Sequence, residues 1–353
     1  MGKRVLITGV SKFLGASLAR RLQDDPEVDY VAGVDLRPPP FELPGVEYLR
    51  ADIRTPLIQK IIATAQADTV VHCDLTSSPV RVGGRSAQKE QNVIGTMHLL
   101  GACQRSEIVR KVVVRSSTAV YGIDSSDPSI LSEDRLHAAP PVHGYSKDVF
   151  DAETSARDFG RRRPEVTLTI LRMANVVGPR AETNMTQFFS LPVIPTALGF
   201  DPRLQLLHED DAVEVLRRSV VEDHPGVYNV AADGVMYLSQ AIRIARRIPM
   251  PILAPLAVMI GDTVRRTGVI DFSTDQINLI VHGRVVDTTR LKDIFGYAPA
   301  YSTLEAFRDF VESTSRAEGG LTGWEKEIYA FITRTGARAP GLRRVENLKE
   351  GLR

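Results

Sequence analysis

Short runs of β-branched and aliphatic residues alternate with helical patterns through the first half of this chain, and few folds accommodate that alternation. The runs cover 3–9 (KRVLITG), 30–35 (YVAGVD), 46–50 (VEYLR), 69–73 (TVVHC), 111–117 (KVVVRSS) and 166–172 (VTLTILR). Apolar residues at helical spacing fill 13–22, 56–66, 87–104 and 142–159 between them. Strands this apolar need cover on both faces, so the pattern predicts an α/β fold with a doubly wound parallel sheet. Right-handed crossovers then bring the C-terminal ends of the strands to one edge, where such sheets bind ligands.

After residue 178 the alternation loosens. Prolines and glycines cluster at 191–202, and Ser302-Thr303-Leu304-Glu305 is a capping box opening a helix through Val311. The expected organisation is a Rossmann domain over 1–180, a smaller, mostly helical, substrate-binding domain over 181–330, and a mobile tail over 331–353. Residues 226–232 (GVYNVAA) read as a strand that rejoins the first sheet.

A formal net charge of +1 over 353 residues gives no field that would attract nucleic acid or an anionic membrane. Cys73 and Cys103 sit far apart in apolar stretches and are expected to be reduced and buried. The chain enters a strand at once, which leaves no room for a signal peptide and makes a cytoplasmic location the expectation. The apolar stretch 249–260 (PMPILAPLAVMI) is too short to span a bilayer; it is expected to be a buried helix behind a Pro-rich loop, with a membrane-touching helix as the alternative.

Between the first strand and the first helix stands Thr8-Gly9-Val10-Ser11-Lys12-Phe13-Leu14-Gly15. A helix N-terminus offers unpaired N–H groups and a positive dipole end to a dinucleotide pyrophosphate. Gly9 permits the tight turn and Gly15 lets helix and strand pack closely. Asp35 closes the second strand, where a carboxylate accepts from the ribose 2′-OH of NAD and repels the extra phosphate of NADP. Arg37, close by, weakens that preference without reversing it. NAD is the expected cofactor.

With these features come further motifs in a fixed order. They are ADIR (51–54), VVH (70–72), NVIGT (92–96), SSTAVYG (116–122), SK (146–147), LRMANVVGP (171–179) and VDTTRLKDIFGYAP (286–299). In that order they resemble the extended short-chain dehydrogenase/reductase superfamily, in particular its NAD-dependent epimerases and dehydratases such as the UDP-glucose 4-epimerases. The likeness covers roughly residues 3 to 315. It implies that Asp52 and Ile53 hold the adenine, that Asn92 stands on the nicotinamide side, and that Rossmann-domain helices form a homodimer. For Asp52 a helix cap, and for Asn92 an exposed helix position, are the plainer alternatives.

Several positions depart from that family. Lys12 replaces the middle glycine of the turn, where it either swings outward or adds charge beside the phosphates. The family's Tyr-Gly-x-Ser-Lys reads His143-Gly144-Tyr145-Ser146-Lys147, so the acid–base position carries His143. Tyr145, two before the lysine, is turned about 200° away on a helix. An imidazole is a natural proton acceptor near neutral pH, and Lys147 beside it would keep it uncharged; a histidine capping or packing at the helix start is the plainer alternative. Ser117 matches the family's catalytic hydroxyl; Lys147 also suits the nicotinamide ribose. Leu204 stands where sugar-nucleotide epimerases carry an arginine for the phosphates, with Arg203 facing the other way if the stretch is extended. Asp74 replaces a small residue, with no account from sequence. The run His208-Glu209-Asp210-Asp211 suggests helix-terminus acids rather than a metal site.

The resulting expectation is an NAD-dependent oxidoreductase or epimerase acting on a hydroxyl of a nucleotide sugar or similar small molecule. Two alternatives stand beside it: a non-catalytic NAD(P)-binding sensor or partner protein, and a reductase of an apolar alcohol or ketone.

Overall fold

Alternating strand residues divide the interior into two layers on either side of one sheet. The computed structural model describes residues 2–79, 82–122, 128–135, 140–252 and 283–317. Its strands are β1 (Lys3–Thr8), β2 (Val28–Asp35), β3 (Val46–Arg50), β4 (Thr69–His72), β5 (Lys111–Ser117), β6 (Thr167–Met173), β7 (Asn175–Val177), β8 (Val193–Ala197), β9 (Arg203–Leu204), β10 (Leu206–His208), β11 (Gly226–Val230), β12 (Met236–Tyr237) and β13 (Ile248–Ile252). The helices are α1 (Phe13–Leu22), α2 (Leu57–Thr64), α3 (Arg85–Lys89), α4 (Thr96–Arg105), α5 (Gly144–Arg162), α6 (Asn184–Ser190), α7 (Glu209–Val221), α8 (Leu238–Ile244), α9 (Thr289–Asp293) and α10 (Thr303–Ala317).

Seven parallel strands pair in the order β11-β6-β5-β4-β1-β2-β3. Val5, Ile7, Val31, Val71, Val113 and Leu171 face one way and pack with Leu18 and Leu22 of α1 and Val215, Leu216 and Val220 of α7. Leu6, Ala32, Val70, Val112, Val114 and Ile170 face the other way, against α2, α4 and α5. The two layers follow from the period-2 alternation of side chains along each strand. Strand order reverses at β1, whose neighbours are β2 and β4, and this reversal opens the crevice in which sheets of this type take ligands.

The segment between α3 and α4 is continuous helix with a π-helical stretch over Glu90–Gly95. A separate apolar cluster joins Phe188, Phe189, Ile194, Leu204, Leu206, Met236, Ile242 and Phe307, with Phe189 and Phe307 edge to face at 4.7 Å. It lies in the same compact unit as the sheet, Met1–Val311. Both halves of the capping box at α10 form: Ser302 N donates to Glu305 Oε2 at 2.8 Å and Glu305 N to Ser302 Oγ at 3.3 Å.

Two expectations are corrected. Residues 248–252 form β13, paired in parallel with β8, where a Pro-rich loop leading into a buried helix was expected. Their prolines fit because the strand lies at the edge of a two-stranded sheet, where a missing N–H costs little. The remainder of the apolar stretch, 253–260, lies outside the described residues, as does the expected tail over 331–353. The helix expected over 142–159 begins only at Gly144, so His143 is not on it. Both cysteines are free and buried, with burial raising each thiol to about 12.

Candidate functional site

The turn after β1 is built by two glycines at close quarters. Gly9 has φ +79°, and a Cβ there would stand 2.8 Å from Asp74 Cα. At Gly15 a Cβ would come within 2.3 Å of the Gly9 carbonyl oxygen, so no side chain fits between helix and strand. Phe13, Leu14 and Gly15 form the first turn of α1, which contains no acidic residue and has no side-chain cap. Their N–H groups are therefore open to an anion at the helix end.

Around that turn, the C-terminal ends of neighbouring strands supply the polar groups. Asp35 ends β2 and accepts from Ser11 N at 3.1 Å and Ser11 Oγ at 2.7 Å, while Arg37 approaches through its backbone N–H at 3.3 Å. Asp52, just past β3, does not cap α2; its carboxylate accepts from Arg54, whose Nη2 lies at 2.7 Å. Hydrogen bonding to Arg54 is the main reason its pKa falls below the usual carboxylate range, against the opposing effect of burial. Ile53 is buried and lies beneath Gly95, where a Cβ would meet its Cδ1 at 2.9 Å.

Asn92 is fully buried rather than exposed. Its amide accepts from Thr76 N at 2.8 Å and donates to Thr76 O at 2.9 Å, which pins the segment after β4. Asn92 sits in the π-helical stretch, and its carbonyl accepts from Thr96 Oγ1 at 2.6 Å. Asp148 of α5 lies beside it, buried, and is held by Arg85 through contacts of 2.5 and 2.7 Å.

Lys12 is the N-cap residue of α1, and its ammonium crosses the mouth of the turn to Asp74 Oδ1 at 2.6 Å and to the Asp74 carbonyl. The two unusual residues are thus partners. Gln91 also donates to Asp74 Oδ1, at 2.8 Å.

At the head of α5 the arrangement differs from the expected helical face. His143 is extended (φ −151°, ψ 176°), exposed, and precedes Gly144, whose φ of +77° turns the chain into the helix. His143 is the N-cap residue of α5, with no side-chain cap hydrogen bond, so the i, i+4 rule for residues within a helix does not by itself pair it with Lys147. Lys147 pairs instead with Asp151, one turn further along α5. Tyr145 is buried in the core. Ser117 ends β5 and caps the 3₁₀ turn Thr118–Tyr121, accepting from Ala119 N at 3.2 Å; that turn packs against α5.

Beneath the site lies a polar network that sequence reasoning missed. Arg172 on β6 is fully buried and binds Glu153 of α5, with contacts of 3.1 and 2.5 Å, and Tyr121 OH at 2.8 Å. Tyr121 OH donates to Asn229 Oδ1 at 2.7 Å, and Asn229 N donates to Glu133 Oε1 at 2.8 Å. The available signal was an arginine inside an otherwise apolar strand, a residue type that is almost never buried unless paired.

The acids after β10 also have definite partners. Glu209 receives Arg180 Nε at 2.7 Å, and Asp211 receives Tyr297 OH at 2.5 Å and Ala300 N at 2.7 Å. Burial, then this bond to Asp211, drives the Tyr297 phenol far up. His208 stacks on Tyr301 and lies 3.0 Å from Asp309. Leu204 is buried in the second apolar cluster, while Arg203 on the opposite side donates to Ser129 O at 3.1 Å.

A seven-stranded parallel sheet with a glycine turn at its reversal point and an acid closing the next strand defines a dinucleotide-binding Rossmann fold. The chain belongs to the NAD dependent epimerase/dehydratase family, whose model matches residues 5–231. It is 40% identical over 352 residues to the uncharacterized protein Rv0501 of Mycobacterium tuberculosis, covering 96% of this chain and 92% of that one. Among solved structures it is similar to MoeE5 in complex with UDP-glucose and NAD, at 21% identity and a TM-score of 0.68, over 90% of this chain and 99% of that one. It is also similar to the UDP-glucose 4-epimerase of Thermotoga maritima, at 17% identity and a TM-score of 0.68, over 89% and 99%.

The residues fit the cofactor this family uses. Gly9 and Gly15 leave room for no side chain, the α1 terminus is open to a pyrophosphate, and Asp35 stands where a ribose diol would be read. A carboxylate at that point predicts that NAD binds at least about tenfold more tightly than NADP in a direct titration, and that Asp35→Ala narrows the gap. Equal affinities in the unaltered protein would contradict that role for Asp35.

Proposed function

We propose that this chain binds NAD along the C-terminal edge of its sheet and uses it to oxidise a hydroxyl of a nucleotide sugar or chemically similar molecule. The observation that carries the reading is the convergence of the glycine turn, Asp35 and Ser117 on that edge, with the head of α5 beside the 3₁₀ turn that Ser117 caps.

Bound NAD supplies the hydride acceptor. Ser117 Oγ already accepts from Ala119 N, and a hydroxyl that accepts still has its own proton to donate to a substrate oxygen. His143, exposed ahead of α5, takes the substrate's hydroxyl proton as the carbonyl forms, the role an imidazole fills near neutral pH. Lys147 holds a ribose hydroxyl once it leaves Asp151. For an epimerase the same groups run in reverse on the rotated ketone, and His143 returns the proton. Among the described residues, 181–252 and 283–311, around the separate apolar cluster, are the substrate side of this reading. Since Leu204 offers no charge, substrate phosphates would be held by groups other than an arginine at that position. A homodimer packed through the α4 region is part of the reading, supported by the exposure of Ile94 and Met97 there.

Near-ultraviolet absorbance with NAD⁺ and a panel of nucleotide sugars tests the reading, alongside chromatography for epimerised product. Turnover by the unaltered protein is expected to fall at least about a hundredfold in His143→Ala. A variant that turns over as fast as the parent would remove His143 from the chemistry. Tight NAD binding with no conversion of any compound would favour a second reading, a dinucleotide-binding protein without turnover. That alternative draws its support from the Lys147–Asp151 pair and from the position of His143 off the helix.

A further inference from the structure

The Lys12–Asp74 pair stands over the open end of α1. It brings together two residues that each break the family pattern. Alone, Lys12 would be an unneutralised cation, about one-fifth exposed, at the turn; alone, Asp74 would turn a nearly buried carboxylate toward incoming phosphates. Together they are neutral, and they hold the loop after β1 against the loop after β4.

We propose that Lys12 is a phosphate-binding residue held in reserve. It is paired with Asp74 while the turn is empty and moves to the pyrophosphate of an incoming dinucleotide. This rests on the NAD reading above. Three features support the exchange. A pyrophosphate at the α1 terminus lies next to the helix N-cap, which is Lys12 itself. Asp74 is not stranded when the lysine leaves, because Gln91 Nε2 still donates to Oδ1 at 2.8 Å. A second cation, Arg115 of β5, is near enough that it and Lys12 both depress the buried His72. Arg115 donates to Leu75 O at 2.7 Å, yet its buried Nε has no partner among the described residues. Arg115 thus adds positive charge near Lys12, which favours a ligand with two phosphates. A flexible lysine replaces the close backbone approach that a glycine allows.

Calorimetric titration of the full-length protein tests this, with NAD and with adenosine, which lacks the pyrophosphate. Asp74→Asn removes the competing charge and should tighten NAD by about tenfold, leaving adenosine unchanged. Lys12→Met keeps the bulk without the charge and should weaken NAD by a similar factor. Lys12→Gly, which restores the family residue, should weaken it too if the ammonium contributes. Tighter NAD binding in Lys12→Gly would show that the lysine only obstructs the site, and would overturn the proposal. Unchanged NAD affinity in both Asp74→Asn and Lys12→Met would overturn it while leaving the NAD reading intact. Absence of NAD binding in the parent and in Asp74→Asn alike would remove both.

Discussion

Replacing Arg172 with alanine lowers the unfolding free energy by about 3–5 kcal/mol, a large share of what a protein of this kind has to lose. Both members of its pair are out of water: Arg172 is 0% exposed and Glu153 2%. Burial pushes the Glu153 carboxyl up, but the hydrogen bonds and charge of Arg172, with help from Arg157, more than offset it and hold it below the usual range. Truncating the arginine leaves that carboxylate with Arg157 and Ser116 as its remaining donors. Tyr121 OH loses its cationic donor in the same step. Because Tyr121 closes the 3₁₀ turn that Ser117 caps, the loss reaches the candidate site. Urea unfolding measures the effect. The double variant Arg172→Leu with Glu153→Leu should cost less than Arg172→Ala alone, since it leaves no charge buried without its partner. A cost below about 1 kcal/mol for Arg172→Ala would contradict this account of the network.

A second large effect is a loss of stability in mild acid, traced to His72. The imidazole is fully buried between β1 and α4, with Nδ1 2.8 Å from Thr8 Oγ1 and Nε2 2.8 Å from Thr96 Oγ1. Thr96 gives its own proton to Asn92 O, so its oxygen accepts from Nε2–H, and Nδ1 is left to accept from Thr8. A neutral ring satisfies both threonines, whereas a protonated one would confront the Thr8 hydroxyl with a second donor. Burial first, then Lys12 and Arg115, depress its pKa from 6.5 to about 3. In the unfolded chain the ring titrates near 6.5. Its contribution is therefore complete above that pH and is lost as the pH falls toward about 3. Between pH 6.5 and 5, where most carboxylates stay ionised, the loss from this one group is about 2 kcal/mol. Unfolding free energies across that window should show the slope in the parent and a flatter one in His72→Gln. Parallel slopes would assign the acid sensitivity to other groups.

Legibility followed the range of the forces involved. β3, β5 and α1 stand at the bounds their apolar patterns indicate, because local periodicity and the need to cover a sheet agree there. Gly9, Gly15 and Asp35 were readable because a turn, a close approach and a strand end each demand one residue type. Contacts between distant segments were not readable. Lys12 looked like a damaged glycine motif and Asp74 like an unexplained charge until folding brought them to 2.6 Å. The extended backbone at His143 was hidden by a helical apolar pattern that runs past the true helix start. At 248–252 the prolines point to a loop, and only the pairing with the distant β8 makes the run a strand.

Amide hydrogen exchange with and without NAD reads most directly where the dinucleotide lies. Binding on the β1–α1 turn should slow exchange at Ser11 and at Phe13 through Gly15, with protection extending to the chain around Asp35 and Asp74. Tight NAD binding that leaves those amides unchanged while protecting another surface would contradict the account.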